Sequence, residues 1–322
     1  MRIVVIGLGS MGKRRIRLIR ELFPTYEIYG IDSREDRQIE AKEIFEIKSY
    51  NGIQDVTDCV DCAFVCTSPL SHASIIRECL KMKWNVFTEL NLVADDYQEN
   101  IALAKQNNCK LFLSSTFLYR EETKYIKSKI SCDEKWNYVY HVGQYLPDWH
   151  PWESIKDFFV GDKRTNGCRE IFAIELPWLT QTFGTIKKVA VASDKISKLN
   201  INYNDNFIIQ IEHITGSKGA FIVDVVSPVA IRDFHAYKEG KYISWKGTPD
   251  SILEFDSNER KLVKVQLLEE SEHINGYSNF IVENAYKNEI WEFFEVVNNN
   301  KELVYGFEQD YEILKIIDSI GA

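Results

Sequence analysis

The segment from Arg2 to Asp32 constrains the fold more than any other part of the chain. It runs Arg2-Ile3-Val4-Val5-Ile6, then Gly7-Leu8-Gly9-Ser10-Met11-Gly12, a helical stretch over 11–22, and Ile28-Tyr29-Gly30-Ile31-Asp32. In the order strand, glycine turn, helix, strand, acid, each residue type has a task. Gly7 permits a tight turn, Gly9 lets the backbone approach a pyrophosphate, and Gly12 lets the helix pack closely on the strand. The helix N-terminus at Ser10 and Met11 offers unpaired N–H groups and a positive dipole end to phosphates. Asp32, about 20 residues beyond the last glycine, suits a ribose 2′-OH. This pattern predicts dinucleotide binding, with Asp32 and Ser33 at the adenosine ribose. The charge of Asp32 repels a 2′-phosphate and favours NAD. Arg34 leaves NADP open, because an arginine there is able to hold that phosphate. The plainer reading of Arg34 is a solvated loop residue paired with Glu35 or Asp36.

The chain has 322 residues, enough for two domains with separate cores. Its net charge of −9, from 39 basic and 48 acidic residues, gives no support for nucleic-acid binding. The basic cluster Lys13-Arg14-Arg15, with Arg17 and Arg20, is expected as a solvated helix face near the cofactor phosphates. No apolar run reaches the length of a membrane span, and no signal peptide is evident, so a cytoplasmic protein is expected. The seven cysteines are an odd count scattered through apparent core strands. Cys59 and Cys62 form a lone Cys-x-x-Cys without the second pair that a zinc site usually needs. Free thiols and no metal are expected.

Strands are expected at 2–6, 27–31, 62–66, 85–88 and 110–114. Helices are expected around 11–22, 34–43, 71–82 and 94–106. That alternation argues for a parallel sheet with helices on both faces. Between about 187 and 266 the segments become β-rich and often alternate, as in Phe207-Ile-Ile-Gln-Ile-Glu-His213 and Gly219-Ala-Phe-Ile-Val-Asp-Val225. Gly, Asn, Asp or Pro separate them, which reads as an open antiparallel sheet. Two helices close the chain, near 275–298 and 307–320. The expectation is an α/β dinucleotide domain over 1–118, then an α+β substrate-binding and oligomerisation domain over 119–322.

Over essentially its whole length the chain resembles the glucose–fructose oxidoreductase/inositol dehydrogenase (Gfo/Idh/MocA) family. The opening fingerprint carries the resemblance, together with Phe64-Val-Cys-Thr67-Ser68-Pro69-Leu-Ser-His72, similar to the family's turn beside the cofactor. The second-domain sheet and the closing helices also fit. The resemblance implies a Rossmann domain that binds NAD(P), with Thr67, Ser68, Pro69, His72 and Glu89 near the cofactor. It also implies an oxidoreductase acting on a sugar, cyclitol or nucleotide sugar, with the catalytic cleft between the two domains. By analogy with family members, surface-glycan precursor synthesis is a plausible setting.

Two signature sites depart from the family pattern. Where the family has Glu-Lys-Pro, this chain reads Glu89-Leu90-Asn91. The family's helical aspartate, and the histidine proton carrier four residues later, become Ile171 and Glu175 when aligned on Asn166-Gly167. Moving a hydride from carbon requires that the hydroxyl proton leave too. Leu90 cannot accept it. Glu175 can, if burial raises its pKa, with help from His150 or Tyr145; otherwise it is a structural carboxylate paired with Arg169 or Lys163.

The cluster Tyr140-His141-Val-Gly-Gln144-Tyr145-Leu-Pro-Asp148-Trp149-His150-Pro-Trp152 offers aromatic faces to sugar rings and polar groups to hydroxyls. Its alternative is plain loop packing, and His141 is expected to satisfy a buried hydrogen bond. Lys163, Arg164 and Arg169 suit a phosphate or the diphosphate of a nucleotide sugar, or else form a charged surface loop. Arg120 either lines the cleft or caps the crossover between domains.

Two functions remain open at the level of sequence. One is an NAD(P)-dependent sugar or nucleotide-sugar oxidoreductase with a rebuilt acid–base set. The other is a non-catalytic NAD-binding sensor or assembly protein on the same fold. Either is expected to assemble as a homo-oligomer, dimer or tetramer, through the second-domain sheet, because few helices after residue 200 are available to cover its outer face.

Overall fold

The computed structural model describes residues 1–131, 133–151, 154–267 and 282–322. By contacts the chain divides into two units. One is Met1–Ser115 with Tyr286–Glu312, and the other is Thr116–Ala285 with Ile313–Ala322.

The first unit is built on a six-stranded parallel sheet in the order β3-β2-β1-β4-β5-β6. Its strands are β1 (Arg2–Ile6), β2 (Glu27–Ile31), β3 (Ser49–Tyr50), β4 (Cys62–Val65), β5 (Asn85–Thr88) and β6 (Leu111–Leu113). The intervening helices are α1 (Ser10–Leu22), α2 (Glu35–Phe45), α3 (His72–Lys81) and α4 (Tyr97–Asn107). Val4, Val5, Ala63, Phe64, Val86 and Phe87 have no exposure, as strands covered on both faces require. Strand order reverses between β1 and β4, the usual place for a ligand crevice in such sheets.

Phe64, Phe87 and Phe112 stack side by side on neighbouring strands, with centroids 4.7 and 5.1 Å apart. Phe293 meets all three edge-on at 5.2–5.7 Å. It belongs to the helix α7 (Glu283–Asn299). The sequence expectation of one border near residue 118 therefore differs from the contacts, because 286–312 returns to the first unit. The part of the expected helix before residue 282 lies outside the described residues.

The basic cluster on α1 also differs from expectation. Arg14 and Arg15 are buried, not solvated. The Arg15 guanidinium lies 4.5 Å over the Phe87 ring and meets two carboxylates, so charge and aromatic faces together compensate its lost water.

The second unit carries an eight-stranded sheet in the order β14-β13-β12-β11-β7-β10-β9-β8. The strands are β7 (Asn137–Tyr145), β8 (Ile186–Asp194), β9 (Asn206–His213), β10 (Lys218–Asp224), β11 (Val226–Lys238), β12 (Lys241–Trp245), β13 (Leu253–Asp256) and β14 (Lys261–Lys264). All neighbours are antiparallel except β7 with β10. The helices are α5 (Glu121–Lys129), α6 (Gly167–Phe183) and the end of α8 (Phe307–Ile320).

Period-two alternation sorts the strands. Tyr138, Tyr140 and Val142 face inward with Phe207, Phe221 and Phe234, and Trp178 and Phe172 of α6 pack edge-on against them. The opposite face presents a row of Ile208, Ile222, His141 and Asp233 across four strands, and beside it Gln210, Ala220, Val139 and His235. Ile208 is 48% and Val139 39% exposed there.

Candidate functional site

At the end of β1 the chain turns through Gly7, whose φ of +91° is open to glycine at little cost. A Cβ on Gly7 would lie 2.7 Å from the Cys66 carbonyl oxygen. A Cβ on Gly12 would stand 1.9 Å from the Gly7 carbonyl oxygen, so only glycine lets α1 start this close to the turn. The first backbone bond into α1 runs from Lys13 N–H to the Gly9 carbonyl. The amides of Ser10, Met11 and Gly12 precede it, which is the open helix start that suits phosphates.

Asp32 is buried at the end of β2. Its Oδ2 accepts the Leu8 N–H at 2.8 Å and its Oδ1 accepts the Arg34 N–H at 2.9 Å. The carboxylate is thereby pinned to the glycine turn. Arg34 turns its guanidinium to Asp36 and is exposed, as in the plainer reading of the sequence. Ser33 is exposed as well. The turn, the helix start and the acid fit a dinucleotide, which when bound supplies the hydride-carrying chemistry that no side chain possesses.

After β4, Pro69–Ser71 forms a single tight helical turn, and Ser71 Oγ donates to Thr67 Oγ1 and to the Ser68 carbonyl. His72 is buried beneath, with Nε2 2.9 Å from the Thr67 carbonyl and Nδ1 2.7 Å from Asn91 Oδ1. Burial lowers its pKa, and the ring braces the turn. Asn91 thus has a task of its own. Glu89 spends both carboxylate oxygens on Arg15, at 2.5 and 3.0 Å, which makes it a structural partner of α1.

The second unit places the other sequence candidates less uniformly. Tyr145 is exposed at the end of β7, and His150 stacks on Phe158 with centroids 3.9 Å apart. Lys163 and Arg164 are exposed on a short turn before α6, and Trp152 lies outside the described residues. Arg169 is buried and bonded to Asp318 and to the Ala322 carbonyl, both at 2.7 Å, so it anchors the end of the chain rather than offering its donors to a ligand. Arg120 is also buried, bonded to Glu122 and the Gly247 carbonyl and lying 5.0 Å over Trp245. His141 is half-buried and meets Asp224 at 2.7 Å. Burial pushes the Asp224 carboxyl up, but bonds from His141, Ser227 and backbone amides outweigh it and hold the pKa low.

Glu175 was read from the sequence either as the base or as a structural carboxylate in an ion pair, and the structure encloses it in a pair. Its side chain has no exposure. Oε2 accepts from Tyr140 Oη and Trp178 Nε1, both at 2.7 Å, and Oε1 faces Arg232 at 2.9 Å. The partner is Arg232 of β11, not Arg169 or Lys163. A carboxylate so enclosed has no open side from which to take a proton.

One turn earlier, α6 carries a carboxylate that the sequence reading passed over. From 168 to 179 every residue of α6 is buried except Glu170 and Ile174, which share one line at i,i+4. Glu170 Oε2 is closed off and meets no hydrogen-bond partner among the described residues. Burial pushes this carboxyl up to about 7. Counting from Asn166-Gly167 selects Ile171 and Glu175, which the helix turns inward. A count of apolar neighbours finds the remaining face at 170 and 174.

Residues 1–115 match the profile of an oxidoreductase family described as an NAD-binding Rossmann fold. No curated protein sequence matches the chain. Among solved structures it is similar to an NAD-binding oxidoreductase from Klebsiella pneumoniae, at 12% identity and a TM-score of 0.81, over 100% of this chain and 96% of that one. It is similar to the WlbA dehydrogenase from Chromobacterium violaceum, solved with NADH and UDP-GlcNAcA, at 12% identity and a TM-score of 0.77 over 100% and 92%. The UDP-N-acetylglucosamine 3-dehydrogenase GnnA from Acidithiobacillus ferrooxidans aligns at 11% identity and a TM-score of 0.75 over 99% and 96%. At such identities the likeness speaks for the fold, and the profile speaks for the cofactor. The match to the Gfo/Idh/MocA oxidoreductase family, as an NAD-binding Rossmann fold, covers residues 1–115 of the chain.

Proposed function

We propose that the protein is a cytoplasmic NAD-dependent oxidoreductase acting on a sugar or nucleotide sugar. The observation that carries the reading is the Gly7–Gly12 turn with Asp32 fastened to it through Leu8. Two similar folds, WlbA and GnnA, handle UDP-linked sugars, and the exposed Lys163 and Arg164 are suited to a diphosphate of that kind. Tyr145 and His150 lie on the same stretch of chain and suit ring hydroxyls. The described cysteines are all free thiols, in keeping with a reducing compartment.

Asp32 selects NAD over NADP. Asp32→Ala is expected to erase most of that preference in a fluorescence titration of both reduced cofactors. An unchanged preference removes Asp32 as the selector.

Proton transfer falls to Glu170 rather than Glu175. A carboxyl that titrates near neutrality is matched to general acid–base work, and one held by an arginine is not. In the oxidative direction the ionised form is the acceptor, so turnover is expected to rise as pH passes through about 7. Glu170→Gln is expected to lower turnover by roughly 10²-fold or more and to abolish that pH limb, with cofactor affinity preserved. Wild-type turnover in Glu170→Gln, on the sugar that mass spectrometry identifies with the purified protein, moves the assignment to His150 or Tyr145. A purified protein holding NAD that turns over no sugar supports the sensor reading, which Leu90 at the lysine position favours.

The outer face of the second-unit sheet joins copies of the chain. Its Ile208, Ile222 and Val139 form an apolar patch that water-facing sheets rarely keep. Sedimentation of wild type is expected to give a dimer or tetramer, and Ile208→Lys a smaller species. A wild-type monomer at micromolar concentration overturns this.

A further inference from the structure

His72 faces an oxygen on each side, and a neutral imidazole has only one N–H to give. Nε2 lies 2.9 Å from the Thr67 carbonyl and Nδ1 lies 2.7 Å from Asn91 Oδ1. Both side chains are 2% exposed, which makes an unmatched contact costly. The Thr67 carbonyl can only accept. Asn91 can adapt, because a half-turn of its amide carries Nδ2 to Nδ1 as a donor. Nδ2 is not otherwise spent, since it lies toward Tyr97 without completing a hydrogen bond. Thr88 Oγ1 is also in reach of Nδ1, at 3.3 Å, but it donates to the Glu89 carbonyl at 3.2 Å. The ionisable groups around the pair are Glu89 after β5, bonded to Arg15, Asp95 before α4, Tyr97 of α4 and Asp310 of α8. The carboxylates have no proton for Nδ1, and the Tyr97 hydroxyl gives its own to Asp310 at 2.6 Å. Thr67 in turn packs on the glycine turn, where a Cβ on Gly7 would meet its Cγ2 at 3.0 Å.

We propose that Asn91 is a positioning residue for the cofactor: its amide donates to His72 Nδ1, which fixes the ring proton on Nε2 and ties the ring to the Thr67 carbonyl. This rests on the dinucleotide-binding reading above. When the ring takes a second proton, the amide turns its oxygen to Nδ1–H, and the bond to Thr67 is kept. An amide suits this task because one planar group offers both a donor and an acceptor, which neither a carboxylate nor an apolar side chain does. The turn that carries Thr67, Ser68 and Pro69 is thereby held in one shape across the range in which histidines titrate.

The test is titration of the full chain with NADH from about pH 5.5 to about pH 8.5, for wild type, Asn91→Asp, Asn91→Leu and Thr88→Val. Nitrogen NMR of the histidine rings accompanies it, with His72→Gln to assign the signal. Wild type is expected to hold its NADH affinity within about twofold over that range, with the His72 proton on Nε2 at the alkaline end. Asn91→Asp only accepts, so both contacts then need the imidazolium. The carboxylate raises the His72 pKa, and the grip on Thr67 is present below that value and lost as pH rises through it. NADH affinity in this variant is therefore expected to fall by about tenfold toward the alkaline end, the size of one hydrogen bond. Asn91→Leu should weaken NADH by a similar factor at neutral pH and split the ring proton between the two nitrogens. Thr88→Val should leave both readouts in place. A wild-type ring protonated on Nδ1 at the alkaline end overturns the proposal without any variant. So does an Asn91→Asp profile as flat as that of wild type, or a Thr88→Val protein whose ring proton moves, which makes Thr88 the donor. An Asn91→Leu protein with a lower urea midpoint but unchanged NADH affinity and ring proton reduces Asn91 to packing and also overturns it. A wild type that keeps the proton on Nε2 but binds no NADH removes the dinucleotide reading, and with it the role of Asn91 toward a cofactor.

Discussion

Arg232→Ala is expected to destabilise the second unit by roughly 3–5 kcal/mol, because it strands a fully enclosed carboxylate. Glu175 has no exposure and Arg232 almost none, and the pair sits among Tyr140, Trp178 and Phe117 rather than water. Glu175→Gln should cost less, since the amide still accepts from Tyr140 or Trp178 and only the arginine loses its counter-charge. The double change to apolar residues of similar volume should recover most of the loss, the behaviour of buried pairs when both charges go. Urea unfolding with a probe of tertiary structure reads all three. The same series separates structure from chemistry. A Glu175→Gln protein that unfolds at the wild-type midpoint yet loses turnover about a hundredfold restores Glu175 as the base.

Arg15→Ala is expected to be as damaging in the first unit, again by roughly 3–5 kcal/mol. Arg15 touches Glu89, Glu289 and Ser114, and Glu289 also receives the Ser115 N–H at 2.7 Å. Burial alone would push the guanidinium toward losing its proton, but the two glutamates raise its pKa instead. Removing it leaves two carboxylates in one closed space. The Glu289 pKa is already raised by burial and would rise further, so the variant's penalty is full above its folded-state value. It fades as pH falls below the ordinary glutamate range, where both forms are neutral. The deficit of Arg15→Ala should therefore shrink from pH 7 to about pH 4. A deficit independent of pH would show that lost packing over Phe87 and Tyr286, not charge, is responsible.

The parts legible in the sequence are those whose cause is local. Residues 2–32 form strand, turn, helix and strand because the apolar run, the glycines and the acid lie within one short stretch. The alternation that follows gives the parallel sheet by the same means. Pairings between distant residues were not legible. Arg15 meets Glu289 across 274 positions, and nothing in the pattern of α1 distinguishes a solvated arginine from one with a counter-charge that far away. The partner of Glu175 was not legible, because Arg232 sits on a strand whose alternation gives its facing but not its neighbour. The parallel pairing of β7 with β10 was hidden for a related reason, since period two reveals a buried face and not the direction of the next strand. Glu170 was not singled out in the sequence: a helix turns 100° per position, so a register carried over from the family resemblance selects 171 and 175 and not the adjacent line of 170 and 174.

The return of residues 286–312 to the first unit has a consequence for how the protein is made. A ribosome that has released the first 115 residues has supplied every strand of the parallel sheet, but neither Phe293 to cover Phe64, Phe87 and Phe112 nor Glu289 to neutralise Arg15. The nascent sheet must wait with an aromatic flank bare while the whole second unit is synthesised, at a pace of roughly 5–20 residues per second. That interval is an invitation to chaperones and to aggregation, and it predicts that a fragment cut after Ser115 will be recovered from the insoluble fraction, whereas one to which 286–312 is rejoined by a flexible linker will not.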